Sequence, residues 1–294
     1  MDAVFAEHLD KTYAGGTEAL RDVGFEVRAG EVFCLLGRNG AGKTTLLRIL
    51  ATQLRPTAGR ATVLGHDVVT EARAIRDRIA VVPQEARPQM LLSAWDHVYT
   101  YCLIRGMSRA DARARSKDIM DELGLWEHKD KVTADLSGGL RQRVIIGMAL
   151  IGSPDLVFLD EPSIGLDPLG RRTVWSMVRQ LAKAGVTVLL TTHYMDEAEA
   201  LADRLLIIDK GRMAYLGSAD DAKRATGARM QVIVEPLVPN DANGREVLTP
   251  ASDAEILRIV ERGVREGRKV TFRPPSLEDS FIRLVGGSIE DEAA

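Results

Sequence analysis

The sequence is poor in cysteine, with only Cys34 and Cys102 in 294 residues. Two thiols build no disulfide framework, and they read as buried, inert groups in a reducing compartment. Long apolar runs are also absent. A membrane span needs roughly 18–20 apolar residues. The longest run here, residues 144–152, is interrupted by glycine and ends at Ser153-Pro154. The expectation is a chain that does not itself cross a membrane, yet can sit on one by binding a protein that does. The start, Met1-Asp2-Ala3-Val4-Phe5-Ala6-Glu7, lacks the basic region and apolar core of a signal peptide. Excess positive charge is missing as well. The net charge is -3, so no nucleic-acid partner is expected. There is no internal repeat and no low-complexity tract.

What remains is the composition of a soluble globular protein, 45% hydrophobic and 28% charged. The length suits one large domain and a small one. The chain is organised around Gly37-Arg38-Asn39-Gly40-Ala41-Gly42-Lys43-Thr44, a full G-x-x-x-x-G-K-[ST] phosphate-binding loop. An apolar strand over residues 31–36 leads into it, and a helix over 45–50 leaves it. Glycines permit backbone angles that turn successive N–H groups around phosphate oxygens. The helix start adds a partial positive charge there. Lys43 is predicted to reach the β- and γ-phosphates of a nucleotide, and the Thr44 hydroxyl to ligate Mg²⁺.

Strands are read over 4–9, 24–27, 61–64 and 79–82, the last ending at Pro83-Gln84. Residues 91–150 read as almost wholly helical, over 94–104, 109–123 and 139–150. Apolar strands at 155–159 and 186–190 then alternate with helices at 171–184 and 195–202, followed by a strand and hairpin turn near 205–211. Such alternation implies an α/β sheet. Composition shifts near 219–227. A second unit follows, with strands at 230–235 and 269–273 and helices at 254–263 and 276–285. Ser276 can cap the last helix with Asp279 in its third position. Leu277, Phe281 and Leu284 then share one face. The end of the chain is acidic. The domains are read as 1–222, with a helical subdomain over about 90–150, and 223–294.

A second constellation lies at Asp160-Glu161-Pro162, closing the apolar strand. Carboxylates at the C-terminal end of a buried parallel strand sit where α/β sheets place their ligands. Asp160 can hold Mg²⁺, and Glu161 points elsewhere and can polarise an attacking water. Tyr13 lies on the turn-rich segment 11–17.

Taken together, these segments resemble an ATP-binding-cassette (ABC) ATPase, the nucleotide-binding subunit of an ABC transporter, over roughly residues 4–220. Gln84 matches the Q-loop glutamine. Leu136-Ser137-Gly138-Gly139-Leu140-Arg141-Gln142-Arg143 matches the signature segment, Gly165-Leu166-Asp167-Pro168 the D-loop, and Thr191-Thr192-His193 the switch histidine. Leu140 stands where the signature commonly has Gln. An apolar residue there is similar to the ABC-2 exporter branch. His193-Tyr194-Met195-Asp196-Glu197-Ala198-Glu199 and Ser276-Leu277-Glu278-Asp279-Ser280-Phe281 are similar to segments of daunorubicin-resistance-type exporter ATPases.

The resemblance implies a P-loop NTPase core with an antiparallel β subdomain, an inserted helical subdomain and a small C-terminal α+β unit. It implies that Tyr13 stacks on the adenine of ATP. Gly37, Arg38, Asn39, Gly40, Ala41, Gly42, Lys43, Thr44 and Thr45 would enclose the phosphates. Thr44, Gln84 and Asp160 would hold Mg²⁺. Glu161 would act as base, and His193 and Lys43 would act on the γ-phosphate. Ser137, Gly139 and Asp167 would complete the site of a second cassette subunit, a second copy ahead of a different one. An ABC-2 permease would be the membrane partner, met through about residues 85–101, where Trp95, Val98 and Tyr99 offer apolar surface. The chain would work peripherally at the cytoplasmic face of the cell membrane, powering export of a drug, lipid or polysaccharide. The other readings are an importer ATPase, a soluble ABC ATPase outside transport and an ATP sensor. About 90 residues without sustained heptads separate Lys43 from Ser137, against a coiled-coil chromosome-maintenance protein. Glu161 and His193 argue against a mere sensor.

Overall fold

The central strands of the main sheet are mostly apolar and buried at every position, which suits strands covered on both faces. The computed structural model describes residues 2–236 and 245–286. The acidic end, residues 287–294, lies outside them. The chain divides into two units, Met1–Ser218 and Ala219–Ala294.

The first unit opens with β1 (Asp2–Thr12) and β2 (Glu18–Arg28), then β3 (Val32–Leu36) and α1 (Lys43–Leu50). Next come β4 (Ala58–Val63), β5 (His66–Asp67), α2 (Ala72–Arg76) and β6 (Ile79–Val82). The helical block is α3 (Ala94–Ile104), α4 (Arg109–Glu122) and α5 (Gly138–Leu150). The unit closes with β7 (Leu156–Asp160), α6 (Pro168–Lys183), β8 (Thr187–Thr192), α7 (Met195–Leu201), β9 (Arg204–Asp209) and β10 (Arg212–Gly217).

One sheet is antiparallel, in the order β2-β1-β4-β5. The other has the order β10-β9-β3-β8-β7-β6 and is parallel except for the β9–β10 hairpin. Every residue of β3, β7 and β8 is buried. Their side chains join α1 and the antiparallel sheet in one core around Phe33, Leu35, Phe158, Leu189 and Leu206. Each such side chain stabilises the fold by about 1.5–3 kcal/mol through burial. Because β3, β7 and β8 are neighbours in register, their C-terminal ends line up. Leu36 lies beside Thr192, and Asp160 beside Thr191.

The helical block is defined by its caps. Ser93 and Asp96 form a capping box on α3, Ser108 caps α4 and Ser137 caps α5. Val98 is fully buried between these helices, so it belongs to their core and offers no docking surface. The exposed apolar groups nearby are Met90, Leu91, Leu92 and Ile104, with Leu91 at 88% exposure. Trp95 and Tyr99 are half-buried and stacked, with ring centroids 5.9 Å apart. Cys34 and Cys102 are both buried and free. Among the described residues, no helix is long and apolar enough to cross a membrane.

The second unit begins with α8 (Ala219–Ala225), a helix that a boundary at 222 would divide. It continues with β11 (Gln231–Pro236), β12 (Glu246–Leu248), α9 (Asp253–Arg265), β13 (Arg268–Arg273) and α10 (Leu277–Val285). Its sheet has the order β12-β11-β13 and is antiparallel. Val232, Val234 and Ile259 form its small core. Ser276 caps α10 in a capping box with Asp279, and Leu277 and Phe281 are buried.

Candidate nucleotide site

The loop after β3 is held open by two close approaches. A Cβ on Gly37 would stand 2.4 Å from the Ile208 carbonyl oxygen. A Cβ on Gly42, whose φ is +110°, would stand 2.5 Å from that of Ala19. Only glycine fits either place. The chain therefore turns directly from a buried strand into α1, with the helix N-terminus facing the cleft. That cleft is about 310 Å³ in volume and is lined by Asn39, Gly40, Ala41, Gly42, Lys43, Thr44, Thr45, Gln84 and Glu161, with Ala19 and Ile164.

Lys43 starts α1 and is buried. Its ammonium donates to the Gly37 carbonyl at 2.8 Å and the Arg38 carbonyl at 3.1 Å. It also lies 3.3 Å from Glu161 Oε1. The other Glu161 oxygen, Oε2, is 2.8 Å from His193 Nδ1. Glu161 is thus gripped between Lys43 and His193, although 118 and 32 residues separate it from them in sequence (161 − 43 and 193 − 161). Its backbone has φ 48°, in the left-handed region. Such a conformation costs about 1 kcal/mol or more outside glycine and persists only where neighbours enforce it. Here the Glu161 N–H donates to the Thr191 carbonyl at 3.2 Å and to its hydroxyl at 2.9 Å. The strained turn swings Glu161 away from Asp160 and towards Lys43.

Asp160 faces the other way. Its Oδ1 accepts from the Thr191 hydroxyl at 2.6 Å and from the Thr44 hydroxyl at 3.2 Å. Thr191 therefore orients both carboxylates, accepting from one backbone and donating to the other side chain. The sequence reading singled out His193 from that tripeptide and passed over Thr191. Thr191 is the penultimate residue of a wholly buried strand, and only the register reveals its pairing with Asp160.

Tyr13 is exposed and its hydroxyl lies 3.1 Å from Thr45 Oγ1, which fixes the ring at the mouth of the loop. Gln84 lines the cleft from the turn after β6. Ser137, Gly139 and Asp167 do not line it. Ser137 caps α5 by accepting from the Leu140 N–H at 3.3 Å. Asp167 caps α6 by accepting from the Gly170 N–H at 2.6 Å. Those two helix starts touch, for a Cβ on Gly139 would lie 3.2 Å from the Gly170 Cα. The three residues thus form a second group of their own.

Hard oxygen donors at Thr44 and Asp160, adjacent to a phosphate loop, fit Mg²⁺, which usually takes one or two protein oxygens and completes its shell with phosphate and water. Burial pushes the Cys34 thiol, under this site in β3, well above the usual thiol range, so it is no nucleophile.

Comparison with known proteins agrees with this geometry. Residues 20–164 match the family described as ABC transporter. A daunorubicin resistance ATP-binding protein of Streptomyces coeruleorubidus is 38% identical, over 97% of this chain and 96% of that protein. The chain belongs to the ABC transporter family. A second relative in this family, the daunorubicin/doxorubicin resistance ATP-binding protein of Streptomyces peucetius, is 42% identical over 99% of this chain and 94% of its own. The Nod factor export ATP-binding protein I of Rhizobium etli is 34% identical over 99% and 95%. Among solved structures, the ADP conformation of an ABC transporter cassette superposes with a TM-score of 0.67 at 24% identity, covering 75% of this chain and 92% of that one. This establishes the ABC ATPase fold. A dimeric post-hydrolysis cassette bound to ADP and Pi matches at TM-score 0.64 and 26% identity, covering 73% and 98%.

Proposed function

We propose that this ABC ATPase binds and hydrolyses ATP in the cleft around Lys43 and powers an ABC-2 type membrane exporter. The observation that carries the reading is the grip on Glu161 by Lys43 and His193 at the mouth of an intact phosphate loop. The backbone N–H groups of the loop and the N-terminus of α1 receive the phosphates. Lys43 exchanges its loop carbonyls for β- and γ-phosphate oxygens. Released from the ammonium, Glu161 turns to the attacking water as base, and His193 holds the γ-phosphate. Thr44, Asp160 and Gln84 would hold Mg²⁺, which supplies charge neutralisation between the phosphates. Tyr13 stacks on the adenine. Catalysis is then positioning and electrostatics around an in-line displacement.

Two chains close head to tail, with Ser137, Gly139 and Asp167 of one completing the phosphate site of the other. The support is that Ser137 and Asp167 are exposed at two touching helix starts, with Gly139 packed between those helices, outside their own chain's cleft. Drug-resistance and Nod factor export relatives, matched along nearly their whole length, support an export role. The permease docks on the apolar surface of Met90, Leu91, Leu92, Trp95 and Tyr99, and the chain works at the cytoplasmic face of the membrane.

The test is Glu161→Gln. The variant binds ATP as the parent does, accumulates as an ATP-held dimer and loses hydrolysis by about 100-fold or more, the range expected for a lost general base. Normal turnover in this variant would remove Glu161 from the chemistry. Purification of the same variant from native membranes with MgATP should retain a polytopic membrane protein in stoichiometric amount. A clean dimer without one, under conditions that preserve a control transporter, sinks the export reading.

A further inference from the structure

One fully buried carboxyl has no part in the chemistry above. Glu197 on α7 has no solvent exposure. Its Oε1 accepts from two other segments: the Ser163 hydroxyl, two residues after Glu161, and the Trp175 indole N–H of α6 at 2.9 Å. Its Oε2 is buried and has no hydrogen-bond partner among the described residues. Burial pushes the carboxyl above the usual carboxylate range, against the hydrogen bonds from Ser163 and Trp175 that pull it down. A polar group this deep is tolerated only where its partners are fixed. Glu197 thus ties the turn that carries Glu161 to the helix that starts at Asp167, and it does so from α7, which begins at Met195 just after His193.

The same helix touches the switch segment a turn earlier. Arg171 and Trp175 are four residues apart and share one face of α6. The Arg171 guanidinium lies 5.1 Å from the Tyr194 ring centroid and 3.5 Å from Asp196 Oδ2. The Tyr194 ring in turn lies 4.1 Å from that of His193. The His193 segment is therefore clasped from α6 at two levels, and only the lower level, through Glu197, also reaches the Glu161 turn.

We infer that Glu197 is a positioning residue for the proposed hydrolytic pair: by joining Ser163 and Trp175 to α7, the helix that follows His193, it sets the spacing between Glu161 and His193. This rests on the ATPase reading above. Geometry matters at that point because displacing reacting groups by about 1 Å can cost about 100-fold in rate. Removing the carboxyl frees the Ser163 turn from α6 without touching Lys43 or the phosphate loop, so binding and chemistry should separate.

The test uses the full chain with Glu197→Leu, which keeps the volume and removes the acceptor, and Glu197→Gln, which keeps an acceptor oxygen. Two readouts are taken. The first is the imidazole NMR signal of His193, which reports its contact with Glu161 whether or not the chain hydrolyses ATP. The second is steady-state hydrolysis with MgATP. The expected result is a shifted His193 signal in the Leu variant and a near-parental one in the Gln variant. With it goes a fall in kcat of about tenfold or more in the Leu variant, its KM for ATP unchanged within about twofold, and substantial rescue by Gln. In a His193→Ala background, Glu197→Leu should add no further loss. An unmoved His193 signal in the Leu variant, equal losses in both variants, or a loss that adds fully to that of His193→Ala overturns the inference. If the parent itself fails to hydrolyse ATP, the ATPase reading falls, and the His193 signal alone decides the role of Glu197.

Discussion

Two groups of polar residues, both on the first unit, meet very different fates. Lys43, Thr44 and Glu161 line one cleft, and Asp160 and His193 are hydrogen-bonded to two of them across long sequence separations. Ser137, Gly139 and Asp167 stay outside that cleft and are committed to the starts of α5 and α6. In the first group Lys43 is paired with Glu161, and Asp160 accepts from the Thr44 and Thr191 hydroxyls, before a nucleotide arrives. The second presents helix N-termini with partial positive charge and no phosphate of its own to meet. On the proposed head-to-tail reading, a single chain supplies the phosphate-loop half of one site and the helix-start half of another. ATP is the natural bridge, because its γ-phosphate can be shared between the loop of one chain and a helix start of the next.

The largest effect that can break this contrast is complementation. Lys43→Ala and Ser137→Ala should each abolish measurable hydrolysis alone. Mixing the two chains should restore it, since a mixed dimer contains one site with both parts intact. Failure of the mixture to regain activity, with mixed dimers demonstrated, would place the signature in its own chain's site. Ser137→Ala also removes a helix cap worth about 1 kcal/mol. Its loss of hydrolysis must therefore occur with a melting temperature only slightly lowered and with single-chain ATP binding retained.

A smaller effect sharpens the first group. Thr191→Val keeps the strand's shape but removes the hydroxyl that serves both Asp160 and the Glu161 N–H. Net hydrogen bonds of this kind stabilise by about 1 kcal/mol each, more when charged. The expected outcome is a stability loss of about 1–3 kcal/mol by denaturant titration together with a kcat reduced by about tenfold, because both carboxylates lose their orientation. If kcat holds while stability falls, Thr191 is only structural.

How far the sequence foretold this arrangement depends on how local each signal is. The phosphate loop, the Asp160-Glu161 strand end and His193 follow buried strands, so motif and placement could be read together. The pairing of strands that brings Thr191 to Asp160 is a matter of sheet register, and no local pattern encodes it. The same holds for Glu197, whose partners Ser163 and Trp175 come from two other segments. Element ends show the complementary limit. The β2 strand runs from Glu18, yet residues 24–27 alone were read, because Asp22 at φ 54° marks an irregularity that interrupts the alternation of inward side chains. The α6 helix begins three residues before the reading at 171, with Asp167 as cap and Pro168 in the first turn, a start signal that was legible. The short α8 and the three-residue β12 escaped notice because neither is long enough to show a period.

The smallest predicted effect sets the second unit against the cleft. Ser276 accepts from the Asp279 N–H, and the Asp279 carboxylate accepts from the Ser276 N–H and hydroxyl. Ser276→Ala breaks this reciprocal cap and should cost about 0.5–2 kcal/mol of the stability of α10. The α10 helix packs on the short α8 and buries Leu277 and Phe281, so that loss should appear as earlier hydrogen exchange within the second unit. Stability in such a unit depends on capping and a few buried side chains, whereas the cleft rests on the buried parallel strands of the first unit. ATP binding and the kcat of the isolated chain should therefore stay within about twofold of the parent. A large fall in kcat from this one hydroxyl would mean that the second unit acts on catalysis, and would end the separation between a self-sufficient half-site and an accessory unit.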